Sequence, residues 1–147
     1  MNVIAEINNH LEILTTQENL KSDGLEFHFF IEQLKGKIDE TNVDESIKVL
    51  KPIFTDLDLY VQIIDKNIFQ TSFSKWLKNF QSSENFKNPF ELANHIIERL
   101  NIDNIFFINS YIYTNGIDVH GEFGVLVEHY ILTNPNKSYL LELTADE

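Results

Sequence analysis

Three polar residues in the last third of the chain have types and spacing that could do chemistry. Asp118, His120 and Glu122 occupy alternate positions, and alternate side chains of a β-strand project from one face. Two carboxylates and an imidazole in this arrangement could bind a divalent metal ion, or the histidine could act as a general base. Apolar residues alternate with the three, so the polar face of an ordinary amphipathic strand explains the same pattern. Both interpretations stay open.

No motif elsewhere in the sequence specifies an activity. Gly121 and Gly124 lack the Lys-Ser/Thr pair of a phosphate-binding loop, and no Gly-x-Ser-x-Gly run is present. Cysteine is absent from the sequence, which excludes disulfides, thiolate zinc sites and thiol catalysis and fits a reducing compartment. The other histidines are scattered along the chain: His10, His28, His95 and His129. We therefore expect neither an enzyme nor a resident cofactor.

Charge is the composition value that departs furthest from the average. The 147 residues include 23 acids and 11 bases, which gives a formal net charge of −12. A surface this negative repels phosphate groups, so nucleic acids and anionic membranes are disfavoured as partners. The same charge would attract a basic protein and accelerate the encounter with it. Acidity that only aids solubility would give the same composition.

Acidic residues concentrate at a few places where they could line such a binding surface. The residues we expect to contact a basic partner are Asp39, Glu40, Asp44, Glu45, Asp56, Asp58, Asp118, His120 and Glu122. Each acid alone is explained by solubility. Taken together they predict an interaction face, with the glycine-containing segment 115–124 as the place to look for the partner.

The elements that would position these residues include a β-meander over residues 102–143. It is rich in Ile, Val, Phe and Tyr and is interrupted by turn signals at Asn115-Gly116, at 121–124 and at Asn134-Pro135. Residues 105–108 are apolar at every position, which predicts a central strand covered on both faces. We expect later strands at 125–132 and 139–143, and a short acidic tail after them.

Helices are predicted for most of the chain before the meander. Apolar stripes at helical spacing mark residues 3–14, a short segment through Ile47 and Leu50, and residues 69–80. The short helix should end before Pro52. Asn88-Pro89 begins another helix, with asparagine as the cap and proline at the first helical position.

Two segments fit both kinds of secondary structure. Asp23 and Glu26 form a capping box before an apolar stripe that reaches Ile38, which favours a helix, although residues 25–31 also alternate like a strand. Residues 56–64 alternate and gain β-branched side chains toward their end, which favours a strand over a helix that begins at Pro52.

The fold class predicted from these patterns is α+β. Four or five helices, mostly N-terminal, would form one layer on a C-terminal antiparallel sheet of three to four strands. The chain would be a single domain over residues 1–147, helical to about residue 100 with the meander at about 102–143.

The functional interpretation rests on charge, size and the absence of motifs. We expect a small cytoplasmic protein that neutralises a basic partner, as bacterial immunity proteins neutralise toxin domains such as nucleases. No export signal or membrane-spanning run is evident in the sequence. One alternative is a nucleic-acid mimic that inhibits a DNA- or RNA-binding complex. Another is a metal-dependent enzyme that uses Asp118, His120 and Glu122.

Overall fold

A computed structural model describes residues 2–16, 26–55, 58–78, 89–112 and 126–146. Within these ranges the protein is α+β, with four α-helices and a five-stranded antiparallel sheet. The helices are α1 (Val3–Thr16), α2 (Val43–Leu50), α3 (Lys66–Lys78) and α4 (Pro89–Arg99). The strands are β1 (Glu26–Gln33), β2 (Asp58–Ile64), β3 (Asn104–Ile112), β4 (Leu126–Thr133) and β5 (Ser138–Asp146). A 3₁₀ turn at Pro52–Phe54 follows α2.

The strands lie in the order β1-β5-β4-β3-β2, and every neighbouring pair is antiparallel. β4 and β5 form a hairpin whose turn is closed by Asn134. Its backbone N–H donates to the carbonyl of Lys137 (3.0 Å), and its side-chain Oδ1 accepts hydrogen bonds from the N–H groups of Asn136 and Lys137. An Asn side chain that bonds the backbone two residues on is an Asx turn, so the turn expected at Asn134-Pro135 is confirmed.

Both faces of the sheet are covered, because most strand positions are apolar on either side. The first face carries Ile105, Tyr130 and Leu141, and it packs against α1, α3 and α4. The second face carries Phe106 and Ile131. It packs against α2 and the 3₁₀ turn. The expected single helical layer is therefore wrong. The central strand that we expected at 105–108 is confirmed as a strand covered on both faces.

Most helices form where helical periodicity predicted them. α1 covers the predicted segment 3–14, α2 ends before Pro52, and α4 begins at Pro89. Two residues after the end of α4 lies Asn101, whose φ of 53° is left-handed. This conformation lets the N–H of Ile102 reach the carbonyl of Ile97 (3.0 Å), the 6→1 bond of a Schellman motif. The strand favoured at 56–64 is confirmed over Asp58–Ile64 as β2, and residues 56 and 57 lie outside the described residues.

Three expectations at the ends of the sheet are wrong. Residues 26–33 form β1 and not a helix, because β5 pairs with them from Glu26↔Asp146 to Gln33↔Tyr139. Residues 144–146 extend β5 and are not a tail, because the same pairing reaches them. The described sheet therefore has five strands where three to four were predicted, and two of these strands lie among the helices.

Within the described residues, no helix is both long enough and apolar enough to cross a membrane.

Candidate functional site

The structure brings together four of the predicted partner-binding residues: Asp39, Glu40, Asp44 and Glu45. They lie in the loop before α2 and in its first turn. Asp58 is the first residue of β2, and only its backbone is described. The remaining predicted site residues lie outside the described ranges: Asp56, Asp118, His120 and Glu122.

Asp39 gives the loop before α2 its shape. Its carboxylate accepts hydrogen bonds from the backbone N–H and the hydroxyl of Thr41, at 3.0 and 2.7 Å, and its own N–H donates to the hydroxyl of Ser46 (2.9 Å). The hydroxyl and the N–H of Thr41 stabilise the charged carboxylate and hold the pKa of Asp39 below its usual range. Asp39 is therefore a negative charge in a defined position.

Glu40 ties this loop to the end of the sheet. One carboxylate oxygen, Oε1, accepts hydrogen bonds from the amide of Asn104 and the hydroxyl of Thr133, both at 2.9 Å. The other oxygen lies 3.8 Å from the ammonium of Lys37, an exposed pair that contributes little stability. The sheet thus holds Glu40 where β3 begins and β4 ends.

Asp44 and Glu45 belong to the first turn of α2. Acids at this position complement the partial positive charge of the helix N-terminus. Glu45 also lies 3.8 Å from Lys48, one turn along the helix. Both carboxylates therefore have a structural explanation, and both remain available to a partner because neither is buried.

A groove of about 480 Å³ runs between this acidic loop and β2. Glu40 and Asp44 lie on one side of it, and Tyr60 and Ile63 lie on the other. Among the described residues that line the groove, none is basic. The side chains of Tyr60 and Ile63 are 55% and 63% exposed. An exposed aromatic and an aliphatic side chain next to fixed carboxylates suit a partner that is basic and carries an apolar anchor.

Sequence reasoning selected the acids but missed Tyr60 and Ile63. The alternation in residues 56–64 indicated that one side of the strand would be exposed. That alternation grouped Tyr60 with the acids Asp56 and Asp58, but it grouped Ile63 with the residues expected to be buried. Ile63 is exposed because β2 lies at the edge of the described sheet.

A second cluster joins α1 to α4 through Glu6. Its Oε1 is 2.9 Å from Nε2 of His95, and its Oε2 accepts a hydrogen bond from Nη2 of Arg99, also at 2.9 Å. Arg99, and after it His95, hold the pKa of Glu6 below its usual range by hydrogen bonding. His10 lies against His95 edge to face, with ring centroids 5.5 Å apart.

The ligand atoms of Glu6, His10 and His95 lie within 4.8 Å of one another. Of the residues that the structure describes, only these three form a group with metal-ligand chemistry at this range. The sequence could indicate two of the three members, because Glu6 and His10 are four residues apart and therefore share a helix face. His95 could not be connected to them without the tertiary structure.

Two ionisable side chains at neighbouring positions of β4 are directed to opposite faces of the sheet. On the first face Glu128 accepts a hydrogen bond from the hydroxyl of Tyr130. Burial raises the pKa of Glu128 to about 7. Burial, with the nearby carboxylate, also raises the pKa of Tyr130. On the second face the fully buried His129 places Nε2 2.7 Å from Oε1 of Glu142 and packs edge to face on Phe54.

These buried pairs satisfy polar groups inside the fold. Glu128 and His129 do not line the groove described above, and Tyr130 and Phe54, which contact them, belong to the two buried apolar clusters. A buried polar group with a hydrogen-bond partner avoids most of its desolvation penalty. Both pairs are therefore structural elements of the core.

No protein-family model, no curated protein and no solved structure matches this chain. Function therefore has to be inferred from the geometry of its own residues.

Proposed function

We propose that this protein is a binding protein that covers a cationic site on a basic partner, in the manner of an immunity protein that neutralises a toxin domain. The observation that carries the proposal is the groove in which Glu40 and Asp44 lie opposite the exposed side chains of Tyr60 and Ile63.

The first support for the proposal is electrostatic. The chain has a formal net charge of −12, and four of its acids lie together before and within the first turn of α2. Such a field accelerates association with a basic protein and does so most at low salt. Lys37 and Lys48 each lie 3.8 Å from one of these acids, so they offset part of the charge, and the four acids still outnumber these two lysines.

The second support comes from the apolar side of the groove. Charge steers the encounter, whereas the slow dissociation of a complex depends on a few well-packed aromatic or aliphatic anchors. Tyr60 and Ile63 provide such anchors within reach of the carboxylates. A partner that packs an apolar side chain on this edge of the sheet, with lysine or arginine around it, would have its cationic site covered.

A nucleic-acid mimic shares the acidity but needs a row of carboxylates that are free to replace phosphates. Asp39 and Glu40 accept hydrogen bonds inside the protein, and an apolar groove adjoins them. This arrangement favours a protein partner over a phosphate-like surface. The alternative enzyme that uses Asp118, His120 and Glu122 stays a prediction, because those residues lie outside the described ranges.

The test uses groove variants with a matched control. Tyr60→Ala combined with Ile63→Ala removes the anchors, and Asp44→Asn combined with Glu45→Gln removes two charges. Val49→Ala removes an apolar side chain that is 80% exposed and does not line the groove. The wild type serves as bait in an extract of its own host, and the captured protein is purified for kinetic measurements.

We expect the captured partner to be basic and to lose its activity when the wild type binds. Loss of the anchors should weaken affinity by about tenfold or more, mainly through faster dissociation. Loss of the charges should slow association and reduce its dependence on salt. The proposal is wrong if the partner binds both groove variants as tightly as it binds the Val49 control, or if low salt yields no basic partner.

A further inference from the structure

We propose that Glu6, His10 and His95 form a binding site for one divalent transition-metal ion of the zinc type. Two imidazoles and one carboxylate suit Zn²⁺, and three protein ligands leave a coordination position for water. This site is separate from the proposed docking groove, and its test does not depend on that function.

The distances in the cluster fit a shared ion. Zinc binds nitrogen and carboxylate oxygen at about 2.0–2.2 Å in tetrahedral geometry, so two ligand atoms on one ion lie about 3.4 Å apart. Oε1 of Glu6 and Nε2 of His95 are hydrogen-bonded at 2.9 Å, and a separation larger by about 0.5 Å would place an ion between them. All three ligand atoms already lie within 4.8 Å of one another. His10 is the exposed member, so rotation of its side chain can shorten the remaining distances.

The scaffold around the cluster is rigid, because the ligands lie on two packed helices. Glu6 and His10 are one helical turn apart on α1. Ile7 and Leu11 of α1 are fully buried in the same cluster of side chains as Ile96 of α4, the neighbour of His95. The buried neighbours therefore hold the two helices, and the ligands with them, at a fixed separation.

Arg99 binds one of the proposed ligand residues, Glu6, from behind. Its guanidinium binds Oε2 of Glu6 at 2.9 Å, which orients the carboxylate and leaves Oε1 directed at His95. Partners of this kind fix the orientation of a ligand. Because Arg99 is also a positive charge, it opposes a cation, and we expect zinc affinity in the micromolar rather than the nanomolar range.

The decisive variant is His10→Ala. It removes one ligand and leaves the hydrogen bonds of Glu6 to His95 and Arg99 in place, so it should fold normally. His28→Ala is the matched control, since His28 is an exposed histidine on β1. Alternation places His28 on the opposite side of the strand from Phe27 and Phe29, which pack toward α1.

Untagged protein is titrated with ZnCl₂ by calorimetry and with CoCl₂ by visible absorption, because cobalt reports its own coordination geometry. We expect one ion per chain and a higher melting temperature with zinc. Replacement of His10 should weaken zinc binding by about tenfold or more, whereas replacement of His28 should not change it.

Absence of binding to the wild type would overturn the site. The site would also be wrong if the wild type and His10→Ala bind zinc with equal affinity, or if His28→Ala weakens zinc binding as much as His10→Ala does. Either result would indicate that zinc binds to separate surface histidines and not to this cluster. A surface ion-pair cluster without metal would be the correct description in each of those cases.

Discussion

The two faces of the sheet differ most clearly at its outer strands. On β1, Phe29 of the first face is 6% exposed, whereas its neighbour Phe30 of the second face is 36% exposed. On β2, Ile64 of the first face is 8% exposed and Ile63 of the second face is 63% exposed. Adjacent apolar residues therefore have opposite environments on both outer strands.

The difference follows from what covers each face. Three helices pack on the first face, and one short helix with a 3₁₀ turn packs on the second. The thinner cover leaves the outer strands of the second face accessible. This is the face on which Ile63 meets the acids before α2. The incomplete cover of the second face therefore leaves room for the proposed docking groove between the acidic loop and β2.

The largest expected effect tests the thin cover itself. Phe54 is fully buried and packs on His129. Phe54→Ala should reduce the free energy of unfolding by about 3–5 kcal/mol, because it removes the transfer free energy of the ring and leaves a cavity. Urea denaturation followed by circular dichroism measures the loss. Phe54→Leu, which keeps much of the volume, should lose less than about 1.5 kcal/mol. A loss below that value for alanine would contradict this role of the 3₁₀ turn.

The next largest effect concerns Glu128, the ionisable residue of β4 on the first face. Its pKa is about 7 in the folded protein against an ordinary value of 4.5. The folded state therefore holds a proton that the unfolded state releases, and stability falls as pH rises from about 4.5 to 7. The penalty, up to about 3 kcal/mol, is fully present above pH 7.

Glu128→Gln should remove that penalty, since glutamine is neutral and its carbonyl can still accept the hydrogen bond of Tyr130. Urea denaturation at intervals from pH 5 to 8 should show the variant gaining on the wild type as pH rises. Comparison of the two proteins cancels the titration of the other groups. Parallel stability profiles would show that Glu128 stays ionised in the fold.

A smaller effect concerns the outer edge of β1. The side chain of Asn8 accepts a hydrogen bond from the N–H of Ile31 and donates one to its carbonyl, both at 2.8 Å. α1 thereby occupies backbone groups that a further strand would otherwise pair with. Asn8→Ala should lose about 2 kcal/mol by urea denaturation, because two partly buried backbone groups lose their partner. Asn9→Ala, at an exposed position of the same helix, should change stability by less than about 0.5 kcal/mol. Equal midpoints for both variants would contradict this role of Asn8.

The smallest effect lies in the first turn of α2, beside the proposed groove. Glu45→Gln should reduce stability by only about 0.5 kcal/mol, since its interactions are the helix dipole and one exposed pair with Lys48. The measurement is again urea denaturation, with Glu12→Gln at an exposed position of α1 as the comparison. A loss above about 2 kcal/mol would make Glu45 a structural residue and remove it from the proposed binding face.

Local patterns predicted the elements whose neighbours are close in sequence. The stripe from Ile4 to Leu14, the Asn88-Pro89 helix start and the turn at Asn134 depend on contacts within a few residues, and each appears as predicted wherever the chain is described. β1 could not be predicted in this way. Its residues satisfy a helical stripe and an alternating strand equally, and only the hydrogen bonds to β5 decide between them. The same pairing accounts for the wrongly predicted tail.

The candidate sites show the same limit. The acids of the groove were selected from composition, whereas Tyr60 and Ile63 depend on which strand lies at the edge of the described sheet. The metal cluster needs His95, which reaches Glu6 only through the packing of α4 on α1. The periodicity of a sequence describes one helix or strand at a time, so it gives no information about contacts between distant elements.

The position of β1 also has a consequence for how the protein is made. Within the described sheet β1 has one neighbour, β5, which leaves the ribosome after the other four described strands. During synthesis the apolar side chains of β1 have no strand to pair with until nearly all of the described chain has emerged. Pairing between segments so distant in sequence slows folding. Apolar strands that have not yet paired are prone to aggregation. β1 is therefore the segment of the nascent chain that we expect a chaperone to shield.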